Sequence, residues 1–386
     1  MIYLDSASTT KPKKEVIEAM MPYLTDEWYN PSSLYDPSVN IKKKIEEART
    51  IVGKFIGCSG KEIYFTSGGS ESNSWAIQGF VKECLDEGID PIIITSKIEH
   101  KSILECVNNL YGAETYFIEV GKMGFVNTIE LEHILRKIWK FKDDYPFGFK
   151  ILVSIQFANN EIGTIQPIKA ISDLVHMYGG IFHVDAVQAI SQISIDVNEY
   201  GIDMLSASGH KLCAPKGIGF LYKKHGIDIK PLIYGTQMDG FRGGTENVPY
   251  IIGLAKAIEL CDMSFDKKND MIDKRDYFID LLIEKFGCKL NGIPDFRLSN
   301  NVNVTFPQNI TGESLLYTLD ISNIYVSTGS ACNSHSIEPS HVLEAIGLTD
   351  EQAMRTVRFS LSEDITYEDI NKVIEEIEKA IKLVSL

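Results

Sequence analysis

The chain has 386 residues, of which 44% are hydrophobic and 24% are charged, a balance typical of globular proteins that bury a sizeable core. Its formal net charge of −15 argues against a broad surface for nucleic acid or anionic membrane, because clusters of Lys and Arg bind phosphate groups. The chain contains neither a signal-peptide pattern nor an apolar run of about 20 residues that could cross a bilayer, so we expect a cytoplasmic protein.

Short apolar segments alternate with amphipathic segments through the first two-thirds of the chain. Seven apolar segments, several of them rich in Ile and Val, are predicted strands: 62–66, 92–95, 115–120, 151–157, 181–184, 204–207 and 219–222. Between the first two lies a predicted helix, whose apolar positions from Ile77 to Leu85 follow the i, i+3, i+4 spacing and which ends at Gly88. This alternation indicates an α/β layer with a mostly parallel sheet.

The pattern changes at about Cys261, which indicates a second, smaller domain of the α+β class. Its predicted elements are two helices and two strands: helices 265–287 and 366–384, and strands 301–306 and 355–361. We therefore assign residues 15–260 to a large domain, and residues 1–14 and 261–386 to a smaller C-terminal domain that includes the N-terminal segment.

Residues 64–73 read YFTSGGSESN and are predicted to run from a strand, through a Gly-Gly turn, into a helix. At such a turn the free N–H groups of the helix and the positive end of its dipole point at one place, where a phosphate binds well. Gly68 and Gly69 would let the backbone approach that phosphate closely, and Ser70 would offer a hydroxyl. The same letters also fit an ordinary strand–turn–helix with Ser as the N-cap, and they lack the Lys of a Walker P-loop.

Two further segments place single polar residues next to predicted strands. Residues 181–188, IFHVDAVQ, put Asp185 at the carboxyl end of a strand, where parallel sheets bind ligands, although Asp is also common there as a helix N-cap. His183 lies on the same face, so a metal pair is an alternative, but no third ligand is near. Residues 206–220, SASGHKLCAPKGIGF, put Lys211 in a turn, where a desolvated lysine could form a Schiff base and an exposed one would be solvated.

A phosphate cradle, a carboxylate at a strand end and a loop lysine are the three groups that pyridoxal phosphate requires. They stand within six motifs, in this order along the chain: TSGGSESN, ANNEIGTIQPI, HVDAVQ, SGHKLCAPKGIGFLY, RGGTENVP and STGSACNSHSIEPSHVL. The series is similar to that of the cysteine desulfurases, in the NifS/IscS-like branch of the class V aminotransferase superfamily, and the similarity extends from LDSASTT to VRFSLS. It implies the α/β pyridoxal phosphate-dependent transferase fold type I, with a mostly parallel seven-stranded sheet in the large domain and a smaller α+β domain.

The resemblance implies a role for each matching residue. Lys211 would form the Schiff base with pyridoxal phosphate, Asp185 would pair with its pyridine nitrogen, and His100, in IEHKS, would stack on its ring. The other expected cofactor contacts are Gly69, Ser70, Ser208 and His210 at the phosphate, Asn160 and Gln188 near the ring hydroxyl, and Thr245 at the phosphate of the partner subunit in a homodimer. Arg358, in VRFSLS, would hold the carboxylate of L-cysteine, with Asn160 also beside the substrate.

Cys332 lies among small, polar residues in the segment 327–339, STGSACNSHSIEP. The seven cysteines are scattered and form no C-x-x-C pair, so the sequence indicates neither a disulfide framework nor a zinc site. The resemblance implies that Cys332 attacks the sulfur of L-cysteine, which leaves L-alanine and a persulfide for a sulfur-acceptor protein in iron–sulfur cluster assembly or tRNA thiolation. Reaching both the substrate and the surface requires a mobile arm over 327–339, with Cys332 resting away from the cofactor.

Several other functions fit the same residues. A selenocysteine lyase, a cysteine sulfinate desulfinase or a class V aminotransferase would use the same cofactor, and a non-catalytic scaffold would use none. An aminotransferase would have no need of a nucleophilic thiol at Cys332. Cys332 and His335, with His341 beyond them, could also help to hold a metal or an iron–sulfur cluster together with a partner.

The chain departs from the pattern of the resembled family in three motifs near the expected pocket, one of which is the usual HK-x-x-GPKG that becomes HKLCAPKG, with Cys213 and Ala214. The usual LDNAATT becomes LDSASTT, with Ser6 and Ser8, and the usual GGGQERGLR becomes GTQMDGFR, with Met238-Asp239 in place of Glu-Arg. These changes leave substrate preference and acceptor choice open, while the residues expected at the cofactor are intact.

Overall fold

The computed structural model describes residues 1–307, 310–328, 330–333 and 336–384, with the backbone alone at 330–333, 336–338 and 384. Its α-helices there are α1 (Lys14–Thr25), α2 (Asp36–Phe55), α3 (Gly69–Glu87), α4 (Lys101–Asn108), α5 (Thr128–Lys140), α6 (Ile168–Met177), α7 (Val197–Tyr200), α8 (Val248–Glu259), α9 (Phe265–Phe286), α10 (Gly312–Ile321), α11 (His341–Ala345), α12 (Asp350–Met354) and α13 (Tyr367–Val384). Its strands are β1 (Ile2–Tyr3), β2 (Ile63–Thr66), β3 (Asp90–Ser96), β4 (Glu114–Ile118), β5 (Phe149–Gln156), β6 (Ile181–Asp185), β7 (Met204–Ser208), β8 (Gly219–Lys223), β9 (Lys289–Leu290), β10 (Asn301–Thr305), β11 (Ile324–Tyr325), β12 (Ser327–Thr328), β13 (Ser330–Asn333), β14 (Ser336–Pro339) and β15 (Thr356–Ser360).

The central sheet has seven strands in the order β2-β8-β7-β6-β5-β3-β4. Neighbours from β4 to β7 run parallel, whereas β8 runs antiparallel to both β7 and β2. All seven predicted strands fall in this sheet, so the predicted α/β class with a mostly parallel sheet is confirmed. None of the helices in the described part of the chain is long and apolar enough to cross a bilayer.

Helices cover both faces of this sheet, which explains its continuously apolar strands. In β3, Ile93 packs with Phe80 of α3 and Ile103 of α4, whereas Ile92 and Ile94 belong to a larger cluster on the opposite face. Successive side chains of a strand point to opposite faces, so a strand buried on both sides has no solvent-facing position for a polar residue. The apolar pattern of β3 therefore follows directly from its place in the middle layer.

The start of helix α3 brings the predicted phosphate motif to one edge of the sheet. Because β8 opposes both β2 and β7, strand β2 ends at the same edge as β5, β6 and β7. Helix α3 begins three residues after β2, at Gly69, and ends at Gly88, whose φ of 73° gives the left-handed C-cap that the sequence predicted. The phosphate motif thus faces the same edge as Asp185, the last residue of β6.

A second hydrophobic core lies around the smaller antiparallel sheet, β12-β15-β10-β9. Helices α9 and α13 and strands β10 and β15 correspond to the four elements predicted for this region. Strand β1 joins it by pairing in parallel with β11, and Asp5 bridges to Ser360 of β15. The N-terminal segment therefore starts in the smaller core and continues to the edge of the large sheet, while the proposed boundary at residue 260 stays a prediction.

The segment that carries Cys332 forms strands rather than the irregular arm that its small, polar residues suggest. Strands β13 and β14 pair antiparallel, with Ser330 opposite Pro339 and Cys332 opposite Ile337. We call β13 and β14 the carrier hairpin. The predicted mobility of the arm and the resting distance of the Cys332 side chain from the cofactor stay predictions, since Gly329, residues 334–335 and that side chain lie outside the described part.

Candidate active site

A cavity of about 410 Å³ opens at the carboxyl edge of the central sheet. Ten of the twelve predicted site residues line it: Gly69, Ser70, His100, Asn160, Asp185, Gln188, Ser208, His210, Lys211 and Arg358. The other two are Thr245, which is exposed and does not line this cavity, and Cys332, whose side chain lies outside the described atoms. Residues from six separate segments of the chain thus converge on one pocket.

The start of α3 forms a close-fitting floor at one end of the cavity. Gly68 has a φ of 154°, a conformation that glycine adopts far more readily than other residues. A Cβ added at Gly69 would lie 2.5 Å from Cγ2 of Val187, so only glycine fits there. No described side chain caps the helix at Gly68, which leaves the first-turn amides beside Ser70 and Ser208 for an anion. This cradle suits a phosphate.

Asp185 is buried at the end of β6, and its carboxylate is held from two sides. Oδ1 accepts a hydrogen bond from the backbone N–H of Val187 at 2.9 Å, and Oδ2 accepts one from Nδ2 of Asn73 at 2.8 Å. Asn73 also donates to Oγ of Ser102 at 2.9 Å. These bonds orient Asp185 as a hydrogen-bond acceptor facing the cavity.

Asn73 is a site residue that the sequence analysis missed, although it is the last residue of the quoted phosphate motif. It lies four residues after Gly69, and this helical spacing puts both residues on the same face of α3. Its own oxygen, Oδ1, is buried without a hydrogen-bond partner among the described atoms. The helical spacing was the signal that could have identified it.

Lys211 is half-buried, and its ammonium group points into the N-terminal segment. Nζ donates to the backbone oxygens of Ala7 and of Ser8, the latter at 2.8 Å. Burial, and then the positive charge of Arg358, lower the pKa of Lys211 from 10.5 to about 8. A sizeable fraction of this lysine is therefore a free amine, the form that condenses with an aldehyde, at mildly alkaline pH.

Arg358 lies in β15, and its guanidinium group meets the N-terminal segment at the cavity wall. Nη2 donates to Oδ1 of Asp5 and to Oγ of Ser8, both at 2.8 Å, and Nη1 donates to the backbone oxygen of Asn160 at 3.2 Å. Nε is buried without a partner among the described atoms. Arg358 is thus oriented by Asp5 and still has an unfilled donor for an anionic ligand.

The N-terminal segment, residues 5–10, was expected near the pocket, but the sequence analysis did not predict its contacts with the site residues. Besides contacting Lys211 and Arg358, it accepts a hydrogen bond from Nε2 of Gln188 at the oxygen of Ala7, 2.9 Å away. The hydroxyl of Thr9 lies 3.2 Å from Nδ1 of His210. The motif LDSASTT was recognised as part of the family pattern, but nothing in its letters indicates contact with residues more than 180 positions away.

The three histidines near the cavity have different environments. Burial lowers the pKa of His210 to about 4, so its ring is neutral at physiological pH and keeps one N–H for a ligand. His100 is the N-cap of α4, where Nδ1 accepts the N–H of Ser102 at 3.1 Å. His183 is fully buried between two serine hydroxyls, and burial lowers its pKa to about 3. These hydrogen bonds give His183 a structural role within strand β6, which ends at Asp185.

Metal binding receives no support from the described residues, among which no group of three His, Cys, Asp or Glu side chains could hold an ion. The alternative that joined Cys332, His335 and His341 falls largely outside the described atoms. Of the three, only the His341 side chain is described, and its Nε2 donates to the backbone oxygen of Glu99 at 2.9 Å.

A second cavity, of about 740 Å³, adjoins the first and shares Ser8, His100, Asn160 and Arg358 with it. Its lining includes Ser327 and Thr328 of β12, which precede the carrier hairpin, and residues 339–341, where that hairpin ends. The second cavity therefore connects the predicted substrate site with residues that flank the hairpin.

Thr245 lies on a surface loop that α3 holds in place. Arg242, three residues before it, donates from Nε and Nη2 to the two carboxylate oxygens of Glu71, at 2.9 and 3.2 Å. Thr245 lines a shallow surface pocket with Trp28 and Tyr35, whose rings are exposed. This position is compatible with a residue that reaches a neighbouring subunit rather than its own cavity.

Comparison with known proteins gives matches along almost the whole chain. Residues 2–373 match the family model for aminotransferase class-V. "Cysteine desulfurase IscS" of Methanosarcina thermophila is 46% identical over 99% of this chain and 92% of its own length, and the protein of that name from Dictyoglomus turgidum is 44% identical over 99% and 94%. Among solved structures, "NIFS-LIKE PROTEIN" superposes with a TM-score of 0.89 at 33% identity and covers 99% of both chains. "SspA in complex with cysteine" superposes with a TM-score of 0.81 at 35% identity, over 94% of this chain and 99% of its own.

Proposed function

The chain belongs to the class-V aminotransferase family and is a pyridoxal phosphate-dependent cysteine desulfurase, and we propose that it transfers the sulfur of L-cysteine to Cys332 as a persulfide. The observation that carries this proposal is the convergence of Lys211, Asp185 and Arg358 on one cavity whose floor fits a phosphate. A structural neighbour described as a complex with cysteine supports L-cysteine as the substrate.

The cofactor fits the donors that the cavity provides. We assign its phosphate to the start of α3 with Ser70, Ser208 and His210, and its pyridine nitrogen to Asp185. His100 is assigned to the ring face, and Gln188 and Asn160 to the ring hydroxyl. When bound, pyridoxal phosphate supplies an aldehyde that captures the substrate amine and a ring that stores the electrons of broken bonds.

The remaining roles belong to Lys211 and Arg358. The lowered pKa of Lys211 supports a role in taking and returning the proton at the α-carbon of the substrate. Arg358, oriented by Asp5 and with Nε unpaired, is suited to the substrate carboxylate, with Asn160 beside it. These two contacts would hold the substrate sulfur towards the second cavity.

The sulfur transfer balances without any external oxidant or reductant. The sulfur of Cys332 forms a bond to the sulfur of L-cysteine while the bond between that sulfur and the β-carbon breaks. The β-carbon keeps the electron pair and takes a proton, which gives L-alanine and the persulfide. The persulfide would then pass to a sulfur-acceptor protein of iron–sulfur cluster assembly or tRNA thiolation.

The direct test incubates the cofactor-loaded enzyme with L-cysteine in the absence of other thiols. We expect one L-alanine for each persulfide, and mass spectrometry of the alkylated peptides should place the additional sulfur on Cys332. Sulfur on a different cysteine, or alanine without any persulfide, would contradict the proposal.

The lowered pKa of Lys211 predicts how cofactor loading depends on pH. The ammonium form cannot add to an aldehyde, so the rate at which pyridoxal phosphate binds the apoenzyme should rise with pH and level off above about 8, the pKa of Lys211. An ordinary lysine would give a rate still rising towards 10.5. The growth of the visible absorbance of the bound cofactor in stopped-flow mixing measures this rate, and a plateau well above pH 9 would refute the assignment.

We further propose a homodimer in which Thr245 completes the phosphate site of the partner subunit. Its support is the exposure of Thr245 in one surface pocket with Trp28 and Tyr35, which are 70% and 51% exposed and would be covered by a partner subunit. Thr245→Val should weaken cofactor binding about tenfold, the effect of one hydrogen bond to a charged group.

Co-expression of that variant with Lys211→Ala provides the control for the dimer. One of the two sites in the mixed dimer would combine an intact Lys211 with an intact Thr245. At a pyridoxal phosphate concentration too low to saturate Thr245→Val, activity should therefore rise above that of either variant alone. No recovery in the isolated mixed species would count against a shared site.

A further inference from the structure

The carrier hairpin ends in a root, residues 339–341, that is bonded to the large domain. Ser340 is 4% exposed, and its hydroxyl makes two bonds at once. Oγ donates to Oε2 of Glu161 at 2.5 Å and accepts the N–H of Val342 at 3.1 Å, which makes Ser340 the N-cap of α11. One hydroxyl therefore fixes both the start of α11 and the distance of the root from Glu161.

His341 makes the second bond of the root, to a part of the site that is itself rigid. Its Nε2 donates to the backbone oxygen of Glu99 at 2.9 Å. The carboxyl group of Glu99 is fully buried, accepts the hydroxyl of Ser96 and accepts the N–H of Gln156 at 2.8 Å. Burial raises the pKa of Glu99 well above its usual range. The hydrogen bonds from Ser96 and Gln156 hold its side chain from two sides.

Apolar contacts strengthen the same two connections. One hydrophobic cluster joins α11 to these loops. Its members include Val342 and Leu343 of α11 and the loop residues Ile98 and Ile162, all at most 1% exposed. Ile98 directly precedes Glu99, and Ile162 directly follows Glu161. The root is therefore packed against the two loops that also carry His100 and Asn160.

Strand β12, which precedes the hairpin in the sequence, is tied to the site as well. Ser327 of β12 is the register partner of Arg358 in β15. Cys332 pairs with Ile337, two residues beyond the pair Ser330–Pro339, which is about 7 Å along a strand. A short hairpin held at both ends has little freedom at its base, so the position of each end decides where the carrier residue can reach.

We propose that Ser340 and His341 are positioning residues for sulfur transfer, which fix the root of the carrier hairpin to the loops of His100 and Asn160 and so direct Cys332 to the bound substrate. The inference rests on the proposed persulfide role of Cys332. The inference goes beyond that role because it concerns residues outside the cofactor cavity. Ser340 and His341 line the second cavity instead, so they would affect only how the thiol of Cys332 reaches the substrate.

The test separates substrate binding from sulfur transfer in His341→Ala and Ser340→Ala. Both variants should keep the visible absorbance of the cofactor and its change on adding L-cysteine, with half-saturation altered less than twofold. The rate of persulfide formation on Cys332, followed by rapid quenching, alkylation and mass spectrometry, should fall about tenfold, the effect of one lost hydrogen bond. His341→Gln and Ser340→Thr restore a donor at the same place and should recover most of that rate.

Each outcome decides the proposal. If the wild-type enzyme places no sulfur on Cys332, the proposed function fails and this inference fails with it. If the wild-type enzyme forms the persulfide and both alanine variants form it equally fast, the inference alone is wrong. An equal loss of cofactor absorbance and of transfer would also refute it, because it would show a general structural role, and either variant suffices if the other does not fold.

Discussion

Lys211→Ala is expected to lower sulfur release from L-cysteine by about 10³–10⁴-fold, the upper part of the range for a positioned acid–base group, and to leave the protein folded. Among the described residues, its hydrogen-bond partners are the backbone oxygens of Ala7 and Ser8, so no side-chain network of that part of the chain is broken by its removal. The variant should bind pyridoxal phosphate weakly and without the absorbance of the covalently linked cofactor. Alanine production and the visible spectrum measure the two effects.

Lys216→Ala provides the matched control for this variant, because Lys216 is exposed and lies five residues further along the same loop. It should keep the spectrum and the activity of the wild-type enzyme. If Lys211→Ala released sulfur at the rate of the control, Lys211 could not be the lysine that binds the cofactor.

Cys332→Ser is expected to form no persulfide and to lower alanine production at least about 100-fold. The hydroxyl of serine is a far weaker nucleophile than a thiolate towards sulfur and cannot carry a second sulfur atom. Cofactor loading and the change of absorbance on adding L-cysteine should remain, because none of the residues assigned to those steps is altered. Chromatography of the products and mass spectrometry of the protein provide the measurement.

Cys58→Ser is the control for a general effect of removing a thiol. Burial raises the pKa of Cys58 to about 12, so this thiol stays protonated and should take no part in transfer. Its variant should therefore behave as the wild-type enzyme does. Sulfur transfer by Cys332→Ser at the wild-type rate would show that another thiol, or none, accepts the sulfur.

The sequence predicted the layers of the fold because burial on both faces leaves a strong local pattern. The Ile-Ile-Ile run of β3 is apolar at every position since its neighbours cover both sides, and Gly88 marks the end of α3 because its backbone needs a left-handed conformation. The phosphate motif, Asp185 and Lys211 followed from segments at strand ends, whereas the other site residues followed from the resemblance to a family. These features depend on a few neighbouring residues, so their letters suffice to find them.

The parts that escaped prediction depend on contacts between distant residues. Lys211 meets Ala7 across 204 positions, and Arg358 meets Asp5 across 353. The carrier hairpin has the small, polar residues of a loop, and only the pairing of β13 with β14 gives it strands. Local propensity carries no information on such distant partners, because the same residues also occur in loops exposed to solvent.

The contact between Asp5 and Arg358 also orders the maturation of the enzyme in time. Synthesis runs from the N-terminus, so Asp5 is made well before Arg358, which lies 353 positions later in the chain. Strand β1 also pairs late in synthesis, since the partner of Ile2 is Ile324. A nascent or truncated polypeptide that ends before β15 already contains the lysine and the carboxylate of the site but not its arginine. If Arg358 holds the substrate carboxylate as proposed, such a polypeptide would lack this contact and should release no sulfur from L-cysteine.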